Sequence, residues 1–234
     1  MTRLLTVSDL AAGYGEVDIV SGISLHVDAL EIVTIAGTNG SGKSTLVKAL
    51  MGLLTRVRGE MRLGDTPLLG VPAEKRIGMG VVYVPQVENV FPTLTVTENL
   101  QVVEGVADRR QRIEAMFDRF PALAERRRTR AGALSGGERQ QLAFARALMP
   151  APKLMILDEP TAALSPALVH EVLELIRGLP ALGVSALLVE QRARQALAIS
   201  DRGYILDTGR VVIHDTAERL LADERMADLY LGTH

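Results

Sequence analysis

The chain has 234 residues, of which 47% are hydrophobic, and carries a formal net charge of −2 at pH 7. This composition is sufficient for one compact core, and the near-neutral charge gives no electrostatic reason to expect nucleic acid as a partner. The absence of cysteine excludes a disulfide scaffold and thiol-based metal or redox chemistry. Because no apolar run approaches the roughly 20 residues that cross a bilayer, we expect membrane attachment only through a partner.

Along the chain, short apolar runs alternate with helical patterns. The first 30 residues and roughly 57–79 show short alternating runs and turns, which predict antiparallel strands. A buried strand is predicted at residues 31–37, and a helix directly after it at 44–54. Three more apolar runs, each followed by polar residues, predict buried strands of a parallel sheet. They lie at residues 80–86, 153–159 and 184–190.

Two helical regions complete the predicted architecture. Residues 92–149 are polar and helical in pattern, and Thr95 and Glu98 have the spacing of a capping box ahead of a helix. We interpret this region as a helical lobe, at about 90–149, inserted between two strands of the core sheet. A second helix is predicted at 165–179 from the spacing of its apolar residues. These are Val169, Val172, Leu173 and Ile176. The alternation of strands and helices predicts an α/β fold.

The segment "GTNGSGKS" at residues 37–44 fits the phosphate-binding pattern G-x-x-x-x-G-K-[ST] in full. Its glycines let the backbone curl so that N–H groups point at phosphate oxygens, and the following helix adds its positive end. Lys43 places a charge near the outer phosphates, and the hydroxyl of Ser44 is a ligand for Mg²⁺. An ordinary glycine-rich turn does not explain Lys-Ser at this place. The predicted nucleotide-binding residues are Gly37, Thr38, Asn39, Gly40, Ser41, Gly42, Lys43, Ser44 and Thr45.

A second motif, "LMILDEP", occupies residues 154–160. Its hydrophobic strand delivers Asp158 and Glu159 at the carboxyl end, where α/β sheets place their ligands. Asp158 is suited to hold Mg²⁺ through the water shell of the ion, and Glu159 to accept a proton from an attacking water. An acidic turn after a buried strand is common, so this motif gains its weight from the phosphate loop upstream.

The third motif is "LSGGERQQLAFARAL" at residues 134–148. Ser135 and Glu138 again have capping-box spacing, ahead of a helix with one apolar face. Ser135, Gly136 and Gly137 are therefore predicted at a helix start, where a hydroxyl and backbone N–H groups form a second anion site. Taken alone, a well-capped helix with a glycine entry is the alternative interpretation.

The phosphate loop, "LSGGE" and "LDEPT", in this order and spacing, resemble the ATP-binding subunits of ABC transporters over nearly the whole chain. The resemblance implies a P-loop NTPase core sheet with an N-terminal antiparallel β subdomain and an inserted helical subdomain. These parts would form a single nucleotide-binding domain at 1–234. The resemblance also implies ATP and Mg²⁺ as cofactors, and ATP hydrolysis coupled to solute import.

The resemblance assigns roles to further positions. Tyr14 resembles the aromatic residue that stacks on adenine, with a core tyrosine as the alternative. Gln86 matches the glutamine that reaches Mg²⁺ and the attacking water, and that senses the transmembrane partner. Ser135, Gly136 and Gly137 would contact the γ-phosphate held by the other subunit of a head-to-tail dimer. The implied metal ligands are Ser44, Gln86 and Asp158.

Two positions depart from the family pattern. Residues 162–165 read Ala-Ala-Leu-Ser where the family usually has Ser-Ala-Leu-Asp, which puts the usual communication across the dimer in question. Gln191 stands in place of the histidine that contacts the terminal phosphate. Its neutral amide donates and accepts hydrogen bonds, but lacks the charge that makes such bonds roughly twice as strong. We therefore predict a working but weakened site with Glu159, Gln86 and Gln191 as its catalytic groups, and a companion site on a sister ATPase that carries histidine.

Several segments narrow the resemblance to the LivF-type ATPases of branched-chain amino acid importers. They include "LLVEQRARQAL", "DRGYILDTGRVV" and a terminal "LYLG". Close relatives serve urea or short-chain amides, so the solute remains open. The implied partners are a sister ATPase or a second copy of this chain, two transmembrane permeases and, indirectly, a periplasmic binding protein. The expected location is the cytoplasmic face of the inner membrane.

Two alternative functions are weighed against this interpretation. A soluble ABC ATPase acting on DNA or ribosomes usually carries tandem cassettes or a long coiled-coil insertion, and this sequence has neither. A regulatory subunit that binds ATP without hydrolysing it is disfavoured by the intact carboxylate of Glu159.

Overall fold

The computed structural model describes residues 2–86, 89–162 and 164–223. Ala163, within the departure after "LDEPT", and the terminal "LYLG" lie outside the described residues. Ten strands are formed in the described ranges. They are β1 (Arg3–Tyr14), β2 (Val17–Asp28), β3 (Ile32–Ala36), β4 (Arg56–Leu63), β5 (Thr66–Pro67), β6 (Val81–Val84), β7 (Leu154–Asp158), β8 (Ser185–Glu190), β9 (Arg202–Asp207) and β10 (Arg210–Thr216).

The same ranges contain nine α-helices and two 3₁₀ turns, at Ala131–Ala133 and Pro180–Leu182. The helices are α1 (Lys43–Leu50), α2 (Ala73–Gly78), α3 (Val96–Gln101), α4 (Arg109–Arg119), α5 (Pro121–Glu125), α6 (Gly136–Leu148), α7 (Pro166–Arg177), α8 (Ala193–Leu197) and α9 (Ala217–Ala222). No helix in the described part of the chain is both long and apolar enough to cross a membrane.

The strands form two sheets. The core sheet has the order β10-β9-β3-β8-β7-β6, in which all neighbours are parallel except β10, which is antiparallel to β9. The second sheet is antiparallel, with the order β2-β1-β4-β5. This arrangement confirms the predicted α/β class with an antiparallel N-terminal sheet.

Helix α1 lies between the two sheets and forms one core with both. Its Leu46, Val47 and Leu50 are buried in a single apolar cluster with residues of β1, β2 and β4 and of the core sheet. The opposite face of the core sheet is covered by α7 and by the helices between β6 and β7. We call the helices between β6 and β7 the helical segment. Because β6 and β7 are paired neighbours, this segment leaves the core sheet and returns to it at adjacent strands.

Several predicted helix features are confirmed. Thr95 and Ser135 both cap their helices through complete capping boxes, with Glu98 and Glu138 respectively. The residues that α7 buries are those predicted from its periodicity. Ser165 occupies the N-cap position of α7, but its side chain makes no capping hydrogen bond, and Pro166 begins the helix.

Other predictions are wrong in detail. Helix α1 ends at Leu50 rather than 54, because Gly52 adopts a left-handed conformation with φ of 72°. Residues 73–78 form α2 instead of continuing the antiparallel strands. Sequence patterns did not predict the last two strands and last two helices of the described residues, which are β9, β10, α8 and α9. Of these, β9 extends the parallel sheet beyond β3.

Candidate nucleotide-binding site

The phosphate loop, the "LMILDEP" motif and the position of Gln191 lie at one edge of the core sheet. The strands β3, β8 and β7 are adjacent and parallel, so their carboxyl ends lie side by side. Ala36 pairs with Glu190, and Asp158 pairs with Val189. The phosphate loop follows β3, Gln191 follows β8, and Glu159 follows β7. Parallel pairing therefore places the phosphate loop beside Glu159 and Gln191, although both lie more than 100 residues further along the chain.

The phosphate loop has the backbone conformation that its glycines predict. Gly40 and Gly42 have positive φ values of 81° and 102°, which only glycine adopts readily. Any side chain at Gly37 would collide with the carbonyl of Leu206. Among the described residues, no carbonyl accepts a hydrogen bond from the N–H groups of Lys43 or Ser44, as expected for the first turn of a helix. These donors form a site suited to phosphate oxygens.

Lys43 lies within the curl of the loop and is nearly buried, with 4% of its surface exposed. Its Nζ donates hydrogen bonds to the carbonyls of Gly37 at 2.8 Å and Thr38 at 2.9 Å. The same ammonium lies 3.6 Å from a carboxylate oxygen of Glu159. The predicted phosphate-binding cation and the predicted general base are thus in direct electrostatic contact.

Glu159 is held between two predicted site residues. Lys43 faces its Oε1, and the side-chain amide of Gln86 donates a 3.5 Å hydrogen bond to its Oε2. The backbone of Glu159 has φ of 47°, which is uncommon for a residue other than glycine. This conformation bends the chain directly after β7. The side chain of Glu159 then faces the phosphate loop, as its contact with Lys43 shows.

Asp158, the last residue of β7, is 9% exposed. Burial raises the pKa of its carboxyl group, and the neighbouring Glu159 adds to this effect. A hydrogen bond of 3.1 Å from the hydroxyl of Tyr83 and the nearby ammonium of Lys43 act in the opposite direction. The carboxylate is therefore oriented by a neighbouring strand and lies close to the phosphate loop.

The oxygen donors at this edge fit a hard divalent cation. The carboxylate of Asp158 is near Lys43, Ser44 adjoins Lys43 with an exposed side chain, and Gln86 touches Glu159. Carboxylate, hydroxyl and amide oxygens are the ligands that Mg²⁺ prefers. The hydroxyl of Ser41 is buried in the loop without a hydrogen-bond partner among the described residues.

Tyr14 lies at the end of β1 and is half-exposed, at 49%. This exposure argues against the alternative of a core tyrosine. Its hydroxyl accepts a hydrogen bond of 3.3 Å from Lys48 of α1, whose ammonium is 5.7 Å from the centre of the ring. The aromatic ring is thus tethered to the helix that follows the phosphate loop, with a face available for stacking.

Two predicted site groups, Ser135–Gly137 and the side chain of Gln191, make no hydrogen bond to the phosphate loop, Asp158 or Glu159 among the described residues. Ser135 caps α6, where its hydroxyl accepts from the N–H of Glu138 at 3.2 Å, and the adjoining Gly137 packs closely on Leu168 of α7. Among the described residues, no hydrogen bond links Ser135, Gly136 or Gly137 to the phosphate loop. Gln191 is exposed, and within the described part of the chain its hydrogen bonds involve only its backbone.

Sequence reasoning missed two residues at this edge. Tyr83 was assigned only to a buried strand, and its contact with Asp158 joins positions 75 residues apart. Glu190 lies at the end of the predicted strand 184–190, yet it is 2% exposed and hydrogen-bonded to Thr161. For Glu190, the available signal was a carboxylate directly after an apolar run, because a buried carboxylate requires partners.

The fold and site agree with those of a known class of protein. Residues 20–162 match the family described as "ABC transporter". The chain therefore belongs to the ABC transporter family, and it is an ATPase of the type that hydrolyses ATP in these transporters. The resemblance stated from the sequence motifs is confirmed.

Similar proteins include two branched-chain amino acid transport ATP-binding proteins. BraG of Pseudomonas aeruginosa is 40% identical over 98% of this chain and 100% of its own length. A probable LivF of Archaeoglobus fulgidus is 40% identical over 98% of this chain and 99% of its own. The lipopolysaccharide export system ATP-binding protein LptB of Escherichia coli is 33% identical over 97% of each chain.

Solved structures of ATP-binding cassettes have the same fold. The ADP conformation of one cassette of an ABC transporter matches with a TM-score of 0.87 and 25% identity, over 100% of both chains. A nucleotide-free cassette matches with a TM-score of 0.86 and 26% identity, over 99% of this chain and 100% of that one. These similarities confirm the P-loop NTPase architecture predicted from the sequence.

Proposed function

We propose that this chain is the ATP-hydrolysing subunit of an importer for branched-chain amino acids. The observation that carries the proposal is the position of Glu159, held between Lys43 and Gln86 beside the phosphate loop. A carboxylate at this place is within reach of a water that attacks the terminal phosphate of a bound nucleotide. The chain would act as one nucleotide-binding domain with the helical lobe at about 90–149.

In this proposal the phosphate loop binds ATP through its free N–H groups, the ammonium of Lys43 and the hydroxyl of Ser44. Tyr14 stacks on the adenine ring. Glu159 accepts a proton from the attacking water, while Gln86 and Gln191 orient that water by hydrogen bonds. Ser44, Asp158 and Gln86 would hold Mg²⁺, which neutralises charge that develops on the phosphate oxygens.

The separation of Ser135–Gly137 from the phosphate loop supports a head-to-tail dimer. This segment begins α6 with Ser135 exposed, and it would close over the nucleotide of a second ATPase subunit. A cassette of the same fold has been solved as a dimer in a post-hydrolysis state with ADP and phosphate. The partner subunit would in turn close over the nucleotide of this chain.

A groove of about 1020 Å³ supports attachment to a permease. It lies between α2 and the helical segment and is lined by apolar residues such as Leu53, Ile77 and Val103. On its wall, Arg146 stacks 4.6 Å from the ring of Phe91, and its buried Nε has no acceptor among the described residues. We propose that a short cytoplasmic helix of a permease occupies the groove. The chain would then sit at the cytoplasmic face of the inner membrane.

The proposed solute rests on the two relatives at 40% identity, whose names specify branched-chain amino acid transport. Urea or short-chain amides are the alternative solutes. The similarity to LptB extends over the same length at lower identity. A soluble, non-transport ABC ATPase is the alternative from another class.

The test uses three proteins, namely the wild type, Lys43→Ala and Glu159→Gln. Binding and hydrolysis of ATP are measured on each chain without a sister ATPase, and uptake is measured on the complex with its partner subunits and binding protein in vesicles. Wild type is expected to hydrolyse ATP, Lys43→Ala to lose ATP binding, and Glu159→Gln to bind ATP with hydrolysis reduced by about 10²–10⁴-fold. Uptake of labelled leucine should fall in parallel, and uptake of urea should be absent. Hydrolysis by Glu159→Gln within a few-fold of wild type would exclude Glu159 as the base, and urea uptake without leucine uptake would change the solute. A protein that does not co-purify with permeases would favour the soluble alternative.

A further inference from the structure

The carboxylate of Glu190 is nearly buried and has none of the roles proposed above. It is the last residue of β8, and 2% of its surface is exposed. Burial raises the pKa of Glu190, and the hydrogen bonds that Thr161 donates partly offset this effect. Because a buried charge is unfavourable unless it is hydrogen-bonded, the partners of Glu190 identify what it stabilises.

These partners belong to two different loops. The Oε1 atom accepts hydrogen bonds from the N–H of Thr161 at 3.0 Å and from its hydroxyl at 2.7 Å. The Oε2 atom accepts from the N–H of Gln191 at 3.2 Å. Thr161 follows Glu159 by two residues, and Gln191 is the proposed phosphate contact. One carboxylate therefore joins the turn after β7 to the loop after β8.

The turn after β7 requires such support. Glu159 has φ of 47°, a conformation that persists in residues other than glycine when the surroundings determine it. Its N–H donates to the carbonyl of Val189 at 2.8 Å, and its carbonyl accepts from the N–H of Ala162 at 3.0 Å. Thr161, inside this turn, is 1% exposed. The end of β8 thus fixes the turn at Glu159 through the backbone and at Thr161 through Glu190.

We propose that Glu190 is a positioning residue for hydrolysis, which holds the Glu159 turn and the Gln191 loop in register with each other. The inference rests on the proposed function, because it requires Glu159 and Gln191 to act on the same water and phosphate. Displacing a reacting group by about 1 Å can reduce a rate by roughly 100-fold without affecting ground-state binding. Glu190 would act in this way without touching the nucleotide.

The first variant is Glu190→Gln, which preserves the shape of the side chain. An amide accepts through its oxygen only, so its NH₂ group must face either the Thr161 donors or the N–H of Gln191. One loop therefore loses its anchor. The expected result is a kcat lower by roughly 10- to 100-fold, with KM and the affinity for trinitrophenyl-ATP within about threefold of wild type.

The matched control is Glu31→Gln. Glu31 is also buried, at 8% exposure, and binds Arg202 at 3.0 Å, but it precedes β3 at the end opposite the phosphate loop. This variant is expected to lower the melting temperature and leave kcat within about threefold of wild type. If Glu190→Gln and Glu31→Gln lose activity only in proportion to melting temperature, Glu190 is structural and the inference is overturned.

A second pair of variants keeps the inference testable if Glu190→Gln does not fold. Thr161→Val removes one hydroxyl donor and should lower kcat several-fold at unchanged KM, while Thr161→Ser should restore it. Wild-type kcat in Thr161→Val would overturn the inference.

Amide exchange followed by NMR needs no hydrolysis, so it separates this inference from the proposed function. The N–H of Thr161 or that of Gln191, whichever faces the NH₂ group of the new amide, should exchange faster in Glu190→Gln than in wild type, while the N–H groups of β3 should not. Unchanged exchange at both positions would also overturn the inference. Failure of the wild type to hydrolyse ATP would instead contradict the proposed function.

Discussion

At the scale of single residues, the orientation of Asp158 depends on a phenol from the neighbouring strand. Tyr83 of β6 donates a 3.1 Å hydrogen bond to Oδ2 of this carboxylate. The register of β6 and β7, in which Tyr83 pairs with Ile156, brings the two side chains together. Since Asp158 is a proposed ligand of Mg²⁺, the hydroxyl of Tyr83 restricts the directions in which its oxygens point.

Tyr83→Phe is therefore expected to weaken the use of Mg²⁺ more than the binding of ATP. A lost hydrogen bond worth about 1 kcal/mol corresponds to roughly a fivefold higher Mg²⁺ concentration for half-maximal hydrolysis. Binding of Mn²⁺ with a non-hydrolysable ATP analogue, followed by electron paramagnetic resonance, should weaken by a similar factor. Tyr204→Phe is the control, because it removes a buried hydroxyl that contacts His26 and Arg202 instead. Equal metal dependence in both variants would contradict the role of Tyr83.

At the scale of elements, a short helix is attached to the core by one buried arginine. Arg76 of α2 is 2% exposed and donates to the carbonyls of Leu68 at 2.8 Å, Val71 at 2.9 Å and Leu50. Leu50 is the last residue of α1, so the guanidinium satisfies a carbonyl that a helix end leaves unpaired. A side chain at Gly52 would also collide with this guanidinium. The arginine thus joins α2, the end of α1 and the loop that follows β5.

Arg76→Met should lower the free energy of unfolding by about 2–4 kcal/mol, because several buried carbonyls lose their donor. Urea unfolding without nucleotide measures this change. Lys75→Met, at an exposed position of the same helix, removes a cation without breaking buried hydrogen bonds and should change the stability by about 0.5 kcal/mol or less. Similar losses in both variants would show that charge, and not the three carbonyl contacts, accounts for the effect.

At the scale of the whole molecule, the proposed catalytic groups are divided between the chain and a partner. The phosphate loop, Asp158 and Glu159 meet at one edge of the core sheet, whereas Ser135–Gly137 lie at the start of α6 on the helical segment. Gln191 completes the edge with a neutral amide, and its side chain has no hydrogen bond among the described residues. We therefore predict two unequal sites in a dimer with a sister ATPase.

Hydrolysis by this chain alone should be slow and should rise sharply when the sister ATPase and permeases are added. Gln191→His should raise the rate of the isolated chain several-fold, because a charged donor forms stronger hydrogen bonds to a phosphate oxygen. Glu159→Gln in this chain should reduce the rate of the full complex less than the equivalent change in the sister. If a homodimer of this chain hydrolyses ATP as fast as the complete transporter, the prediction of unequal sites is wrong.

The parts of the fold that followed from sequence are those determined by neighbouring residues. The capping boxes at Thr95 and Ser135, the buried face of α7 and the curl of the phosphate loop all depend on positions a few residues apart. The extent of α1 and the nature of residues 73–78 did not follow in this way. Arg76 stabilises α2 through the carbonyl of Leu50, which is 26 residues away. The left-handed glycine that ends α1, Gly52, also leaves room for this guanidinium, and that contact is not visible in the local sequence.

By itself, the sequence determined the family and predicted the residues of a phosphate-binding loop, because a glycine-rich loop, a lysine and a strand-ending carboxylate act through local backbone geometry. Only the tertiary structure decided how these groups meet. The register of the parallel strands places Tyr83 on Asp158, Glu190 on Thr161 and Lys43 beside Glu159. Such contacts form when the sheet buries its apolar residues on both faces, and no local pattern encodes which distant polar side chains that burial brings together.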